Sequence, residues 1–360
     1  MKKIVTVLGA RPQFVKAAVL SRVIQKYGDI EEVIVHTGQH FDQNMSDVFF
    51  EEMMIPKPKY NLDINSMSHG AMTGKMLADI ESVLKEEQPD AVVIYGDTNS
   101  TIAGALAAKK MHIMVVHVEA GLRSFNIKMP EEVNRILTDR ISDLLSCPTQ
   151  TAINNLKNEG YDHLDIQIEK HGDIMKDAVE YYGQFSAERS SIISDLNLSE
   201  ESFVLATIHR QENTDDLEKL SSIFEALDRI HKDCEVVLPL HPRTKNVLEK
   251  NNISTSITLI DPVGYYAMLE LLKNCKMVVS DSGGLQKEAF FNKKHCIIAR
   301  EETEWIELVE NGFAEVVGSD VEKILSAFEV FKSSKKDFSM ELYGNNVGEK
   351  IYESIKTLIE

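Results

Sequence analysis

DAVVIYGDTNSTIAGALAAKKMHIMVVHVEAG, residues 90–121, decides the fold. Its two runs AVVIYG and IMVVHV are apolar at successive positions, not alternate ones, so as strands they bury both faces. TNSTIAGALAAKK between them reads as a helix. Strand, helix and strand in that order make a βαβ unit of a parallel sheet covered by helices on both sides. Upstream, IVTVL (4–8) leads through a turn into helix-like QFVKAAVLSRVIQKY (13–27), EEVIVHTG (31–38) supplies another strand, and residues 71–87 form an amphipathic helix. Downstream, Pro130 and two first-turn carboxylates start a helix over MPEEVNRILTDRI (129–141).

A more polar stretch from about 152 to 200 contains a domain crossing near residue 170. The pattern restarts at SFVLATIHR (202–210), and EVVLPLHP, SITLIDPV, KMVVSDSGG and KHCIIAR continue it. The expected fold is α/β, with two Rossmann-like, doubly wound domains facing a cleft. Residues 1–169 form the first domain, with a C-terminal helix at about 346–360 packing back on it, and residues 170–345 form the second. Ligands of such sheets sit beyond the carboxyl ends of the strands.

Composition narrows the partners. A net charge of −18 argues against nucleic acid and anionic membrane surfaces, while leaving room for a local basic pocket. Cys147, Cys234, Cys275 and Cys296 form no CxxC pair, so buried thiols in a reducing cytoplasm are expected, with no metal site. MKKIVTVLGARP has too short an apolar run for a signal peptide and reads as a first strand. GxGxxG is missing, HGAMTGKM (69–76) has the wrong spacing for a phosphate loop, and YESIK (352–356) matches Tyr-xxx-Lys without a dinucleotide fingerprint; no cofactor is expected.

Candidate chemistry gathers at strand ends. Asp97 follows AVVIYG, Glu119 follows IMVVHV and Glu131 opens the next helix, with Arg123 and Arg135 interleaved. Taken singly, Asp97 could be a helix cap and Glu131 a partner of the helix dipole. As a group they suit acid–base catalysis. GARPQFVK (9–16) brings Arg11 and Lys16 to a helix N-terminus, a combination suited to a diphosphate. SDSGG (280–284) opens another helix, where Ser282, Gly283 and Gly284 let an oxyanion approach free N–H groups and Glu288 can take ribose hydroxyls. His209 and Arg210 of HRQEN and His241 of LHPRT again follow strands, and the histidines suit phosphate binding or acid–base work.

In order, GARPQFVK, HTGQHF, YGDTNST, HVEAGLRS, PEEVNRILTD, IHRQEN, LHPRT and SDSGGLQKEA resemble the non-hydrolysing UDP-N-acetylglucosamine 2-epimerases over nearly the whole chain. The resemblance implies the GT-B fold, a UDP-sugar substrate held mainly by the second domain, no cofactor and a homodimer. It implies Asp97, Glu119 and Glu131 as catalytic carboxylates and Arg11, His209, Ser282, Gly283 and Glu288 as ligands of the nucleotide diphosphate, with His241 matching less closely. Lys16, Arg123 and Arg135 support them. It also implies elimination of UDP, proton removal at carbon 2 to give a 2-acetamidoglucal, and return of UDP after reprotonation on the opposite face. ARPQ (10–13), TEWIE (303–307) and the short loop from Arg123 to Pro130 are similar to the branch acting on UDP-2,3-diacetamido-2,3-dideoxyglucuronate for surface polysaccharide, the other substrate being UDP-N-acetylglucosamine. GQHFDQ (38–43) departs from members activated by a second substrate molecule. A GT-B glycosyltransferase would share SDSGG and Glu288 but needs an acceptor groove. A non-catalytic UDP-sugar sensor would not need three acids facing an anion.

Overall fold

The computed structural model describes residues 1–39, 53 and 55–360. They divide into two compact units, Met1–Ala178 with Glu341–Glu360, and Val179–Met340. Among the described residues no helix is long and apolar enough to cross a membrane.

The first unit is built on seven strands: β1 (Lys2–Leu8), β2 (Ile30–His36), β3 (Tyr60–Asn61), β4 (Ala91–Tyr95), β5 (Met114–Val118), β6 (Leu144–Cys147) and β7 (Gln167–Lys170). They lie in the order β3-β2-β1-β4-β5-β6-β7, every pair parallel. All of β4 is buried, as is β5 beyond Met114, as their unbroken apolar runs require. Helices α1 (Arg11–Tyr27), α2 (His69–Glu87), α3 (Asn99–Lys110), α4 (Pro130–Ile141) and α5 (Gln150–Asn158) connect them. Small residues line most of α3, which lets it lie buried between α2 and α4. A last helix, Val347–Ile359, packs on α1. There Tyr352 stacks on Tyr27 at 4.5 Å and, with Lys356, binds Asp29. The Tyr and Lys of YESIK are thus parts of a clasp, and their four-residue spacing reflects one helix face.

The second unit repeats the plan. Strands β8 (Phe203–Thr207), β9 (Glu235–Pro239), β10 (Thr258–Ile260), β11 (Met277–Ser280), β12 (Cys296–Ile298) and β13 (Ala314–Val316) form a parallel sheet in the order β10-β9-β8-β11-β12-β13. Helices α6 (Leu217–His231), α7 (Pro242–Asn251), α8 (Tyr265–Asn274), α9 (Gly283–Phe291) and α10 (Val321–Lys332) flank it. Leu220, Phe224 and Leu227 of α6 and Phe328 of α10 share one apolar core with Val204, Val236 and Val279 of the sheet. In each unit the direction of winding reverses between two neighbouring strands, β1 and β4 in the first and β8 and β11 in the second. Connections leave such a pair in opposite directions and open a crevice at its carboxyl end.

One acidic side chain is set against this apolar packing. Glu32 of β2 accepts a hydrogen bond from Thr6 Oγ1 at 2.6 Å, and its Oε2 is buried. Burial raises its pKa above the ordinary carboxylate range, and the Ser21 and Thr6 hydroxyls only partly offset this. A carboxyl whose native pKa exceeds its unfolded value contributes stability below the unfolded pKa and loses it as pH rises through the native one. Glu32→Gln should therefore melt increasingly above the wild type as pH climbs from about 4.5 towards neutrality, with the curves converging at the acid end. Parallel melting curves would show that Glu32 does not titrate in this way.

Candidate functional site

Gln13, on the first turn of α1, joins the two turns at the crevice of the first unit. Its Oε1 accepts from the backbone N–H groups of Gly9 and Ala10 at 2.8 and 3.0 Å. Its Nε2 donates to the carbonyl of Tyr95 at 2.6 Å and to the hydroxyls of Thr98 and Thr101 at 3.1 and 3.0 Å. Gly9 is needed for this approach, since a β-carbon there would run into Ser100 Oγ and Thr37 Oγ1. Thr98, not Asp97, caps α3, its side chain accepting from Thr101 N. The Asp97 side chain is thereby left for other work.

That side chain, 32 % exposed, meets Arg135 Nη1 at 2.7 Å. Its own carbonyl accepts from Asn134 Nδ2 at 2.9 Å. Both partners come from α4, whose Glu132 in turn takes Arg135 Nε at 2.9 Å and the backbone N–H groups of Ser124 and Phe125. Glu131 precedes this network by one residue and is half-buried, with no ion pair among the described residues. Glu119 follows directly on β5 in the left-handed region at φ 72°, a costly conformation for a residue with a side chain. Its carboxylate pairs with Lys16, both side chains being about nine-tenths buried. Both groups lie beside the Gly96 turn: a β-carbon on Gly96 would stand 3.6 Å from each. Asp97, Glu119 and Lys16 thus converge on one crevice.

Behind them sits a buried ionic group. His117 Nδ1 lies 2.7 Å from Asp139 Oδ1, and its Nε2 lies 2.7 Å from the Gly96 carbonyl. Arg123, expected among the substrate-binding residues, is 2 % exposed, and its guanidinium is engaged by Asp139, Glu159 and the carbonyl of Leu122. Burial works against its charge, but the two carboxylates more than compensate and raise its pKa. Arg123 is thus built into the turn as a strut, its guanidinium taken up by protein groups. The side chain of Arg11 and residues 40–43 of GQHFDQ lie outside the described residues; the Arg11 backbone opens α1.

In the second unit Asp281 plays the tying role. It is fully buried after β11, and its carboxylate accepts from the N–H groups of His209 and Arg210 at 2.9 Å and from Asn213 Nδ2 at 3.1 Å. The turns after β8 and β11 are so held together. The His209 ring stacks on His241 at 5.4 Å, and His241 caps α7 through Nδ1. Although 37 % of the His209 side chain is exposed, the protein packed around it depresses the pKa of the ring. Asp281 opposes that shift, and Arg210 and Arg243 reinforce it. Ser282 is the N-cap of α9, and Gly283 and Gly284 form its first turn, where N–H groups lack helical acceptors. A β-carbon on Gly283 would lie 3.7 Å from Arg210 Nη2 and 3.8 Å from Arg300 Nη1, so two guanidinium groups border this helix end. Arg300 is held by Glu304 of TEWIE at 2.8 Å. Half-buried Glu288 follows on the same helix.

Two Rossmann-type sheets, one with acids and a lysine at its crevice and one with arginines beside a glycine-opened helix, define an α/β enzyme that handles an anionic nucleotide-type ligand. The family pattern described as UDP-N-acetylglucosamine 2-epimerase matches residues 22–356, and the chain belongs to that family. It is 50 % identical to UDP-2,3-diacetamido-2,3-dideoxy-D-glucuronate 2-epimerase of Pseudomonas aeruginosa, over 95 % of this chain and 96 % of that one. The crystal structure of Methanocaldococcus jannaschii UDP-GlcNAc 2-epimerase in complex with UDP-GlcNAc and UDP is similar with a TM-score of 0.90 at 41 % identity, covering 99 % of this chain and 100 % of that one. The Neisseria meningitidis UDP-GlcNAc 2-epimerase bound to UDP-GlcNAc gives 0.88 at 28 % identity, with the same coverage.

Gln13, His117, Asp139, Asp281 and Arg300 were given no role by sequence reasoning, although the first four stand inside the quoted motifs. Their signal was a polar residue at a position otherwise expected to be buried. Asp281→Asn tests one of them. The amide sets an N–H against at least one of the donors Asp281 now accepts, and a buried unmade hydrogen bond costs about 1–3 kcal/mol. Urea titration should show a loss of that order; full wild-type stability would mean that the turns do not depend on the carboxylate.

Proposed function

We propose that this chain inverts carbon 2 of a UDP-linked 2-acetamido sugar, taking UDP-2,3-diacetamido-2,3-dideoxyglucuronate to its mannuronate epimer. The observation that carries the reading is 50 % identity, end to end, with the P. aeruginosa enzyme named for that substrate. UDP-N-acetylglucosamine is the second reading, favoured by its presence in the M. jannaschii complex, whose protein is 41 % identical.

In this reading the second unit holds UDP. Ser282, Gly283, Gly284 and the start of α9 take the diphosphate together with Arg210, His209 and His241, and Glu288 takes the ribose. Arg11 is a further ligand of the diphosphate, and Lys16 and Arg135 support the carboxylates. The bond from carbon 1 to the diphosphate oxygen breaks first, leaving oxocarbenium character on the sugar and the electron pair on UDP. A carboxylate among Asp97, Glu119 and Glu131 then takes the proton from carbon 2, and the electron pair of the broken C–H bond forms the double bond between carbons 1 and 2 of a 2-acetamidoglucal. A second carboxylate delivers a proton to the opposite face, and the diphosphate oxygen returns to carbon 1. Cations around the diphosphate lower the barrier because charge builds up there as the bond breaks. No acceptor is required, which separates the reaction from glycosyl transfer. The reading includes a cytoplasmic homodimer whose product serves surface polysaccharide assembly.

The test is incubation with each UDP-sugar alone in heavy water, followed by proton spectroscopy. The expected product is the manno epimer with deuterium at carbon 2; an epimer that keeps its original hydrogen would exclude the elimination. Asp97→Asn, Glu119→Gln and Glu131→Gln should lower turnover ~100- to 10,000-fold wherever the residue transfers a proton. UDP affinity should hold or rise, since a negative charge near an anion is removed. Near-normal turnover in all three would end the case for the cluster.

A further inference from the structure

His117 is fully buried, yet both of its ring nitrogens face acceptors. The Gly96 carbonyl stands 2.7 Å from Nε2 and can only accept, so Nε2 carries a hydrogen. Asp139 Oδ1 stands 2.7 Å from Nδ1. The other oxygen of Asp139 accepts from Arg123 Nη1 at 2.7 Å and from Gly121 N at 3.1 Å, the pattern of an ionised carboxylate. With Asp139 ionised, Nδ1 must carry a hydrogen too, and the ring is an imidazolium.

The charges around the ring agree. Arg123 joins Asp139 to Glu159, so an imidazolium makes two cations and two anions, while a neutral ring leaves one uncompensated negative charge in a site where His117 and Asp139 are wholly excluded from water. The other titratable groups facing Asp139 add no charge: burial and Asp139 push the Cys147 thiol from β6 and the Tyr161 phenol towards their protonated forms.

We propose that His117, fixed as an imidazolium by Asp139, is a positioning residue for the catalytic carboxylates, its Nε2–H gripping the Gly96 carbonyl and so setting the peptide that carries Asp97. Gly96 has φ 64° and no side chain to restrain it, so its position rests on its backbone bonds: its N–H donates to the Val118 carbonyl at 3.0 Å and its own carbonyl faces His117. Asn134 holds the next carbonyl, Arg135 the carboxylate, and Gln13 and Thr101 the Tyr95 carbonyl before it, so His117 is the side chain that holds the carbonyl of the peptide joining Gly96 to Asp97. Being on β5, two residues before Glu119 just beyond its end, His117 ties the frame of both acids to one ring. The proposal rests on the reading of Asp97 as a proton-transferring residue, but the state of the ring can be measured without substrate.

The experiment uses the full chain with nitrogen-15 histidine near neutral pH. Among its eleven histidines, the signal that disappears in His117→Gln should be that of a doubly protonated ring. A ring with one bare nitrogen overturns the proposal, whatever turnover does. On the UDP-sugar that is turned over, His117→Ala should lower kcat about 100-fold, the cost of a misplaced reacting group, with KM within about threefold. His117→Gln, whose amide N–H can reach the Gly96 carbonyl, should recover about tenfold of that loss. A folded His117→Ala protein with normal kcat, or with its loss confined to KM, also overturns the proposal. Should circular dichroism show that His117→Ala does not fold, Asp139→Asn decides. Its amide can keep the Arg123 bond through oxygen and donate to Nδ1, which leaves the ring neutral and still bound to Gly96. About a tenfold fall in kcat supports a role for the fixed charge, and wild-type kcat removes it.

Discussion

Withdrawing a carboxylate from water costs several kcal/mol unless its oxygens are filled by donors. Asp139 and Asp281 are both fully buried, and the donors that fill them come from turns far away in sequence. Each acid therefore acts as an anchor: the penalty for leaving it unbonded keeps those turns in one arrangement. In the second unit Asp281 draws the turn after β8 onto the turn after β11. In the first, Asp139 reaches the turn after β5 directly and the turn after β4 through His117. Gln13 performs the same service for the turns after β1 and β4 with a neutral amide, which can both accept and donate. The exposed groups that could meet a ligand stand on ground prepared by groups that do not.

The strands were readable because a strand buried on both faces leaves an unbroken apolar run, and the ends of those runs mark where a parallel sheet gathers its chemistry. Asp97, Glu119, His209 and Ser282 could accordingly be located by number before any coordinates. Roles created by tertiary approach were not readable. Arg123 looked like a ligand because it stands among acids, yet Asp139 and Glu159 reach it from α4 and the end of α5 and close it off. Asp97 had the form of a helix cap until Thr98 proved to hold that place. Tyr352 and Lys356 carry a spacing that serves catalysis elsewhere and here serves a clasp on Asp29. In each case residue type and local spacing were right, and the partner, distant in sequence, decided the meaning.

Glu119 is the point of greatest local cost. Its left-handed backbone follows directly on a buried strand, and no glycine was placed there to relieve it. A glycine would lack the carboxylate that meets Lys16. The two N–H groups of Glu119 and Ala120 both donate to the carbonyl of Ser146, so the neighbouring strand supplies the restraint that keeps the bend. Strain that persists beside a buried ion pair is what a site shows when the direction of one side chain matters more than local stability.

The division of the chain has a consequence for its synthesis. The first unit includes Glu341–Glu360, which the ribosome makes only after the whole of the second unit. Residues 1–178 therefore wait with the face of α1 that receives Val347–Ile359 still bare, for roughly ten to forty seconds at ~5–20 residues per second. The second unit, continuous in sequence, has no such delay and can complete its own core first. The order of maturation is thus the reverse of the order of translation, and the bare face of α1 is where a nascent chain of this kind most needs protection from premature association.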